Sequence, residues 1–451
     1  MNSTTIKPIP GPGALEAVRG LRQDGFLAYI GKMWQTYGDL FQIRLGRRTL
    51  IFAIHPEAVR YISITNRQNY DKRGSYDSVR RFIVGDGLVT STGDLWRRQR
   101  RLMSTFFTPR GVQAYSEIML RQGRQLVERW ENLARTGQRV EIGEEMTSVT
   151  GKIILNALFS TESEEAIIGM KETVEIMVSF TNARQTELPL PLWLPTRANR
   201  KYQAARKRMD NQINALIAQR QAMPEAQWPN DLLTRLMQAR DEETGEGMTE
   251  SLLRDESITL FVAGHETTAR TLSAAWYILS SNPEVANKLH AELDEVLGDR
   301  YPTVEDLPRL PYTLQVIQEV LRLYPPAPFY ARDAVSADTL NGYAILEGGV
   351  MMLSPYYTHR HPDFWGNPLQ FNPDRWTPER EAAQHPYAYF PFAAGQRICI
   401  GNNFALLEAH ILLALFAKRF APRLEAGYRP QWEMKGVLVP VNGLPMRIEA
   451  R

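Results

Sequence analysis

The chain of 451 residues has a single cysteine, Cys399, so no intrachain disulfide can brace it and packing must supply its stability. It has no run of about 18 consecutive apolar residues, the length a membrane span needs. The opening stretch MNSTTIKPIPGPG lacks the continuous apolar core of a signal peptide, because its prolines and glycines break any such run. Both gaps lead to the expectation of a cytoplasmic protein with no transmembrane anchor. Neither sign of charge dominates: 53 Lys and Arg stand against 50 Asp and Glu, a balance of +3 that gives no footprint for nucleic acid. No glycine-rich dinucleotide fingerprint follows a strand, and neither repeats nor low-complexity linkers divide the sequence.

What is present fits a globular chain with a sizeable core, at 43% apolar and 23% charged residues. LFQIRL, residues 40–45, alternates apolar and polar positions, and GRR leads from it into TLIFAI, which predicts a strand hairpin. Asn341-Gly342 and Asn442-Gly443 lie between apolar runs and predict two further hairpins, since this pair tolerates positive φ. The strongest helical signal runs from a Thr249 cap to Asn282, without proline, for about 48 Å. Asn282-Pro283-Glu284 then reads as the start of another helix, which Gly298 closes. The fold class expected is mainly α with a smaller β region, in a single domain spanning residues 1–451.

Cys399 sits in FAAGQRICIG, residues 392–401. Gly395 and Gly401 permit tight turns where a Cβ would clash, so the sulfur can approach something flat and large. Phe404, Leu407, Ile411 and Leu415 recur at helical spacing and place Cys399 just before a helix N-terminus, where the dipole favours a thiolate. Arg397 supplies a cation for an anionic cofactor group. A structural zinc would need more cysteines or histidines at short spacing.

Phe392, Gly395, Arg397, Cys399 and Gly401 match F-x-x-G-x-R-x-C-x-G, and the chain here resembles the cytochrome P450 family of haem-thiolate monooxygenases. The resemblance implies the cytochrome P450 fold, with a long central helix over the haem. It implies haem b, iron protoporphyrin IX, with Cys399 as the metal ligand, Arg397 bonded to a propionate and Phe392 packed beside the sulfur. Glu319 and Arg322, one helical turn apart, would alone be an ordinary ion pair. With Arg375 of FNPDRW they resemble the family's structural Glu-Arg-Arg cluster. Trp96 and Arg100 match W-x-x-x-R, which implies two more propionate contacts, and Arg332 falls where some members place another.

In AGHETTA, residues 263–269, Gly264 costs about 1 kcal/mol against alanine in a helix interior, so something must be gained from it. The Thr267 hydroxyl can bond the Ala263 carbonyl, and such local loosening would open a groove across the helix. Glu266 adds an acid able to relay protons. The segment resembles the family's oxygen-binding A-G-x-[DE]-T-T, which implies that Glu266 and Thr267 are catalytic while His265 packs.

The resemblance implies insertion of one oxygen atom from O2 into a C–H bond. About fifty residues follow Cys399, too few for a flavin domain. Reducing equivalents from NAD(P)H are therefore expected through a ferredoxin or flavodoxin-type donor and its reductase, and an acidic donor would suit Arg97, Arg98 and Arg101. By family position the substrate pocket would draw on Phe82, Ile83, Phe261, Ala263, Ala327, Phe329 and Val437, which suggests a lipophilic substrate such as a fatty acid, alkane or terpenoid. LPLPLWLP, residues 188–195, precedes a basic stretch to residue 208 and reads as a lid over the access channel or as a patch for peripheral lipid contact. A haem-thiolate peroxygenase or isomerase and a noncatalytic haem-binding sensor remain as alternatives, against which Glu266-Thr267 argues.

Overall fold

A computed structural model describes residues 7–46, 48–161, 164–186 and 190–451, without the side chains of residues 164–167, 185 and 186. Positions 188 and 189 of the apolar loop lie outside the described residues. The chain divides into two compact units, each drawn from three separated segments, so no single cut in the sequence releases either one.

The first unit takes residues 1–76, 314–399 and 429–443. Its five-stranded sheet runs in the order Leu40–Leu45, Arg48–Ala53, Val350–Leu353, Tyr330–Ala334, Tyr70–Asp71. The expected hairpin is its first antiparallel pair, with Phe41 opposite Phe52. Arg48–Ala53 then pairs in parallel with Val350–Leu353. Phe41 and Phe52 stack at 5.0 Å, and Phe26 and Phe329 meet Phe52 at an angle, which buries aromatic area under the helices Ala14–Asp24 and Phe26–Tyr37. Asn341-Gly342 closes a hairpin between Asp338–Leu340 and Tyr343–Ile345, both turn residues at positive φ.

Asn442-Gly443 does not close one. Val437–Pro440 pairs with Trp432–Lys435 around Gly436, whereas Pro445–Arg447 joins Arg139–Glu141 and Arg423–Leu424 in another sheet. The Asn442 side chain is used instead to hold the loop before Trp432: it accepts from Gln431 N (2.7 Å) and donates to the Arg429 carbonyl (3.0 Å).

The second unit takes residues 77–313, 400–428 and 444–451 and is largely helical. The long helix spans Glu250–Ser281, and Thr249 caps it by accepting from Leu252 N. It packs on Ile142–Phe159 at Gly264, where an added Cβ would meet Ile154 Cδ1 and Cγ1 at 2.9 Å. Close packing is thus what Gly264 provides, and the helix continues unbroken, without the expected loosening. Ser116–Thr136 packs on Asn402–Ala417 in the same way, Gly123 lying against Leu412 and Leu415. Trp130 fills the space between them with Trp276, Phe416 and Phe420.

Gly264→Ala is expected to lose about 1–3 kcal/mol by overpacking, more than alanine's helical preference returns. Urea unfolding checks this, and Ile154→Val in the same chain should recover part of the loss.

Candidate functional site

The Cys399 loop belongs to the first unit and is fixed by its backbone. Ala393 (φ 62°) and Gly395 (φ 71°) both take left-handed conformations. A Cβ on Gly395 would fall 2.2 Å from the Ser63 carbonyl oxygen, so only glycine lets the loop press down there. Cys399 N donates to the Phe392 carbonyl at 2.8 Å and Ile398 N to that of Gly395 at 3.0 Å, which turns the thiol outward into an exposed position. Gly401 caps the helix Asn402–Ala417 with φ −86°, a conformation that needs no glycine, so the expectation for it holds only at Gly395.

Cations gather beside this loop. Arg397 Nη2 bonds Asp71 Oδ1 at 2.6 Å, and burial pushes its guanidinium down to about 10. Arg332 is buried over the Tyr330 ring and donates to the Ala331 carbonyl. Lys72 faces both. Desolvation, then Arg332 and Arg397, hold it well below an ordinary lysine, while Asp71 and Cys399 pull the other way. Sequence reasoning missed Lys72, because one basic residue after a two-residue strand has no periodicity and belongs to no motif.

Behind the loop, Glu319 and Arg322 on the helix Pro311–Leu323 are wholly buried and paired at 2.8 Å. Glu319 also accepts from Arg375 Nε, Trp376 Nε1 and Asn372 N, each at 2.9 Å. Arg322 spends its remaining donors on the carbonyls of His359, Pro368 and Gln370. His359 Nε2 accepts from Phe390 N at 2.8 Å, so this ring nitrogen is unprotonated; burial and Arg322 keep the imidazole neutral. The cluster therefore anchors the segment that enters the cysteine loop.

In the second unit, Trp96 and Arg100 lie one turn apart on Gly93–Ser104, the indole buried and the arginine half-buried. The other arginines of this helix are spent within the chain: Arg97 on Asp94, Arg98 on Glu246 and the Gly247 carbonyl, Arg101 on Asp241 and Glu243. On the long helix, Thr267 Oγ1 donates to the Ala263 carbonyl at 2.9 Å and Glu266 pairs with Arg270 at 3.1 Å. Ala263 is exposed and Thr267 partly so, an open face on a mostly buried helix. His265 stacks on Phe261 at 4.7 Å and bonds its carbonyl; burial lowers its pKa.

The expected pocket residues divide into two groups. Phe261 shares the His265 face, about 200° around the helix from Ala263, and belongs to the core. Phe329 is likewise packed among Phe26, Phe52 and Tyr357. The structure thus packs both side chains among apolar neighbours. Ala327 is exposed and Val437 partly so, on neighbouring segments joined by Leu438 N to the Pro326 carbonyl. Phe82 and Ile83 are buried, Phe82 against Phe180 and Tyr202. The segment after them is fastened to the long helix by Asp86 N to Asp255 and Leu88 N to Glu256, the latter acid pushed up to about 8 by burial. Trp193 is 80% exposed on a loop whose carbonyls at Pro191, Leu192 and Leu194 accept from Asn199 and Gln203.

An outward thiol in a rigid loop, with cations beside it, suits a thiolate-ligated haem protein. Comparison with known families places the chain: the Cytochrome P450 profile matches residues 7–444, and the chain belongs to the cytochrome P450 family. It is 36% identical to Cyclooctatin synthase of Streptomyces melanosporofaciens, over 97% of this chain and 94% of that one. It is 32% identical to Pentalenene oxygenase of Streptomyces avermitilis, over 95% and 96%. The crystal structure of cytochrome P450DA heme domain superimposes with a TM-score of 0.91 at 30% identity, covering 99% of this chain and 98% of that one. The chain is a cytochrome P450 monooxygenase, and membership implies haem and dioxygen. Among the described residues no helix is long and apolar enough to cross a membrane.

Glu319→Ala strands the Arg322 guanidinium in the interior and is expected to cost about 3–5 kcal/mol in chemical denaturation. Arg322→Lys should lose part of that too, because an ammonium cannot span both carboxyl oxygens and three carbonyls.

Proposed function

We propose that this chain inserts one oxygen atom of O2 into a C–H bond of a lipophilic, terpenoid-like substrate. Its electrons originate in NAD(P)H and arrive through a separate ferredoxin or flavodoxin-type donor and its reductase. Support for the substrate class comes from the relatives' names: besides the two above, Cyclooctat-9-en-7-ol 5-monooxygenase of Streptomyces melanosporofaciens is 34% identical over 86% of this chain and 83% of that one.

The observation that carries the reading is the Cys399 loop itself, with its outward thiol and its tied-back amide. Arg332 and Arg397 stand beside the loop with Lys72. Such a group of basic side chains fits a cofactor bearing two carboxylates, as haem does. Once bound, haem supplies an iron centre able to activate dioxygen and oxidise hydrocarbons.

The protein's own residues then have distinct tasks. Cys399 would ligate the iron as a thiolate; Arg397, Arg332 and Lys72 would hold carboxylates, as would Trp96 and Arg100 from their helix. The Thr267 O–H is committed to the Ala263 carbonyl, which leaves the hydroxyl oxygen's lone pairs as acceptors. Glu266, held by Arg270, would carry protons from solvent to that turn. Ala263, Ala327 and Val437 would offer apolar surface to the substrate, with Phe82 and Ile83 positioned behind by the Asp255 and Glu256 clamp.

Hemin-loaded protein, reduced under carbon monoxide, should show the red-shifted band of thiolate ligation, and Cys399→Ala should lose it. Retention of that band in the variant would remove Cys399 as the ligand. Turnover with peroxide alone, indifferent to electron supply, would reassign the enzyme as a peroxygenase. Lys72→Ala should speed transfer of haem to apomyoglobin by about tenfold, the value of one charged hydrogen bond.

A further inference from the structure

A cavity of about 90 Å3 lies within the second unit, lined by the long helix Glu250–Ser281, by Ile142–Phe159 and by Glu164–Thr186. The long helix supplies Phe261 and His265, which are 1% and 4% exposed. Ile142–Phe159 supplies Thr147, Ser148 and Gly151, and Glu164–Thr186 supplies Ile168 and Lys171. Ser148 and Ile168 are exposed and Lys171 partly so, so the cavity runs from a dry end to a wet mouth. Its volume is about that of three waters, enough for one small organic ion in their place.

The imidazole sets this cavity apart from the core around it. His265 Nδ1 bonds the Phe261 carbonyl at 2.8 Å and so carries the ring hydrogen, which leaves Nε2 a bare acceptor. Among the described residues nothing bonds Nε2. The residue is held in place at both ends: the ring stacks on Phe261 at 4.7 Å, and Thr150 Oγ1 donates to the His265 carbonyl at 2.8 Å. A side chain that only filled space there would do so better as leucine, with no nitrogen left to satisfy.

The neighbouring charges indicate the sign of a ligand. Glu266 and Arg270, on the same helix as His265, pair with each other at 3.1 Å, so their fields largely offset. Lys171 acts on the ring from Glu164–Thr186, and its pairing with Glu175 is loose at 3.9 Å. Ile142–Phe159 lines the cavity with hydroxyls only. Thr147 donates to the Gly143 carbonyl, while Ser148 has no partner among the described residues. Desolvation keeps the ring neutral, its pKa below the ordinary value. One added proton turns Nε2 into a donor that faces the same space as an ammonium and a free hydroxyl, and three donors around one small cavity call for an anion.

We infer that this cavity binds a short-chain carboxylate the size of acetate, taken up together with one proton on His265 Nε2. The acid's O–H breaks as the Nε2–H bond forms, which gives a carboxylate and an imidazolium with no electron transferred. One carboxylate oxygen accepts from Nε2–H and the other from Lys171 and Ser148, while Ile168 and Phe261 cover the methyl group. Nothing in this assignment depends on the monooxygenase reading.

The test uses haem-loaded protein, reduced and bound to carbon monoxide, a diamagnetic form with no iron position left for a carboxylate. Histidine labelled with heavy nitrogen gives seven side chains to follow by NMR. The His265 signal is identified by its loss in His265→Asn, or by its response to Lys171→Met if that variant does not fold. At about neutral pH its Nε2 should be unprotonated and become protonated as sodium acetate replaces sodium chloride at constant ionic strength. Only the protonated ring binds, so affinity should fall about tenfold for each pH unit above neutrality. Lys171→Met should weaken binding about tenfold and Ser148→Ala about threefold, with the carbon monoxide band unchanged. An Nε2 that stays unprotonated up to molar acetate overturns the inference and leaves the cavity to water. A shift that chloride alone produces, or an affinity indifferent to pH, overturns it as well.

Discussion

The Glu319 carboxylate is the anchor of the first unit. Four donors converge on it, two guanidinium groups, an indole and a backbone amide, and the Arg322 that it neutralises reaches three further carbonyls. Buried charge is tolerable only with such complete satisfaction, since each missing partner leaves a desolvated group uncompensated. His359 links the cluster to the Phe390 amide, and from there the backbone runs through Ala393 and Gly395, both held at positive φ, to Cys399. The thiol is placed by backbone geometry and polar satisfaction, on a loop whose Gly395 turn rests on the helical turn Tyr61–Thr65.

The two groups of cations show how context decides the use of charge. Arg97 pairs with Asp94 on its own helix, while Arg98 and Arg101 fasten the segment Asp241–Gly247. Arg332 and Arg397 stand close enough to Lys72 to disfavour its charge, with Asp71 acting the other way. Basic side chains gathered in a partly dry place are a better indicator of a ligand than a basic run on a helix face.

Much of this was readable from residue spacing. The long helix begins and ends where its cap and Pro283 set it, because those signals are local. The loop around Cys399 and the Glu319–Arg322 turn were visible because fixed short intervals carry their geometry. What escaped depends on partners distant in the chain. Lys72 acquires its meaning from Arg332 and Arg397. Phe261 shares an apolar character with Ala263, and the structure shows that one is buried and the other exposed. Asn442-Gly443 has hairpin chemistry, but the strands beside it find other partners, so a local turn preference yields to tertiary pairing.

The sheet order carries a consequence for biosynthesis. Leu50 lies beside Val350, so the N-terminal hairpin emerges from the ribosome long before the strand that covers its inner edge exists. Until then Arg48–Ala53 offers an open row of amides and carbonyls to any neighbouring chain. Nascent chains stalled before residue 350 should thus be the ones that engage chaperones or clump on polysomes, and the lag before closure, rather than the strength of the finished sheet, would set the yield of native enzyme.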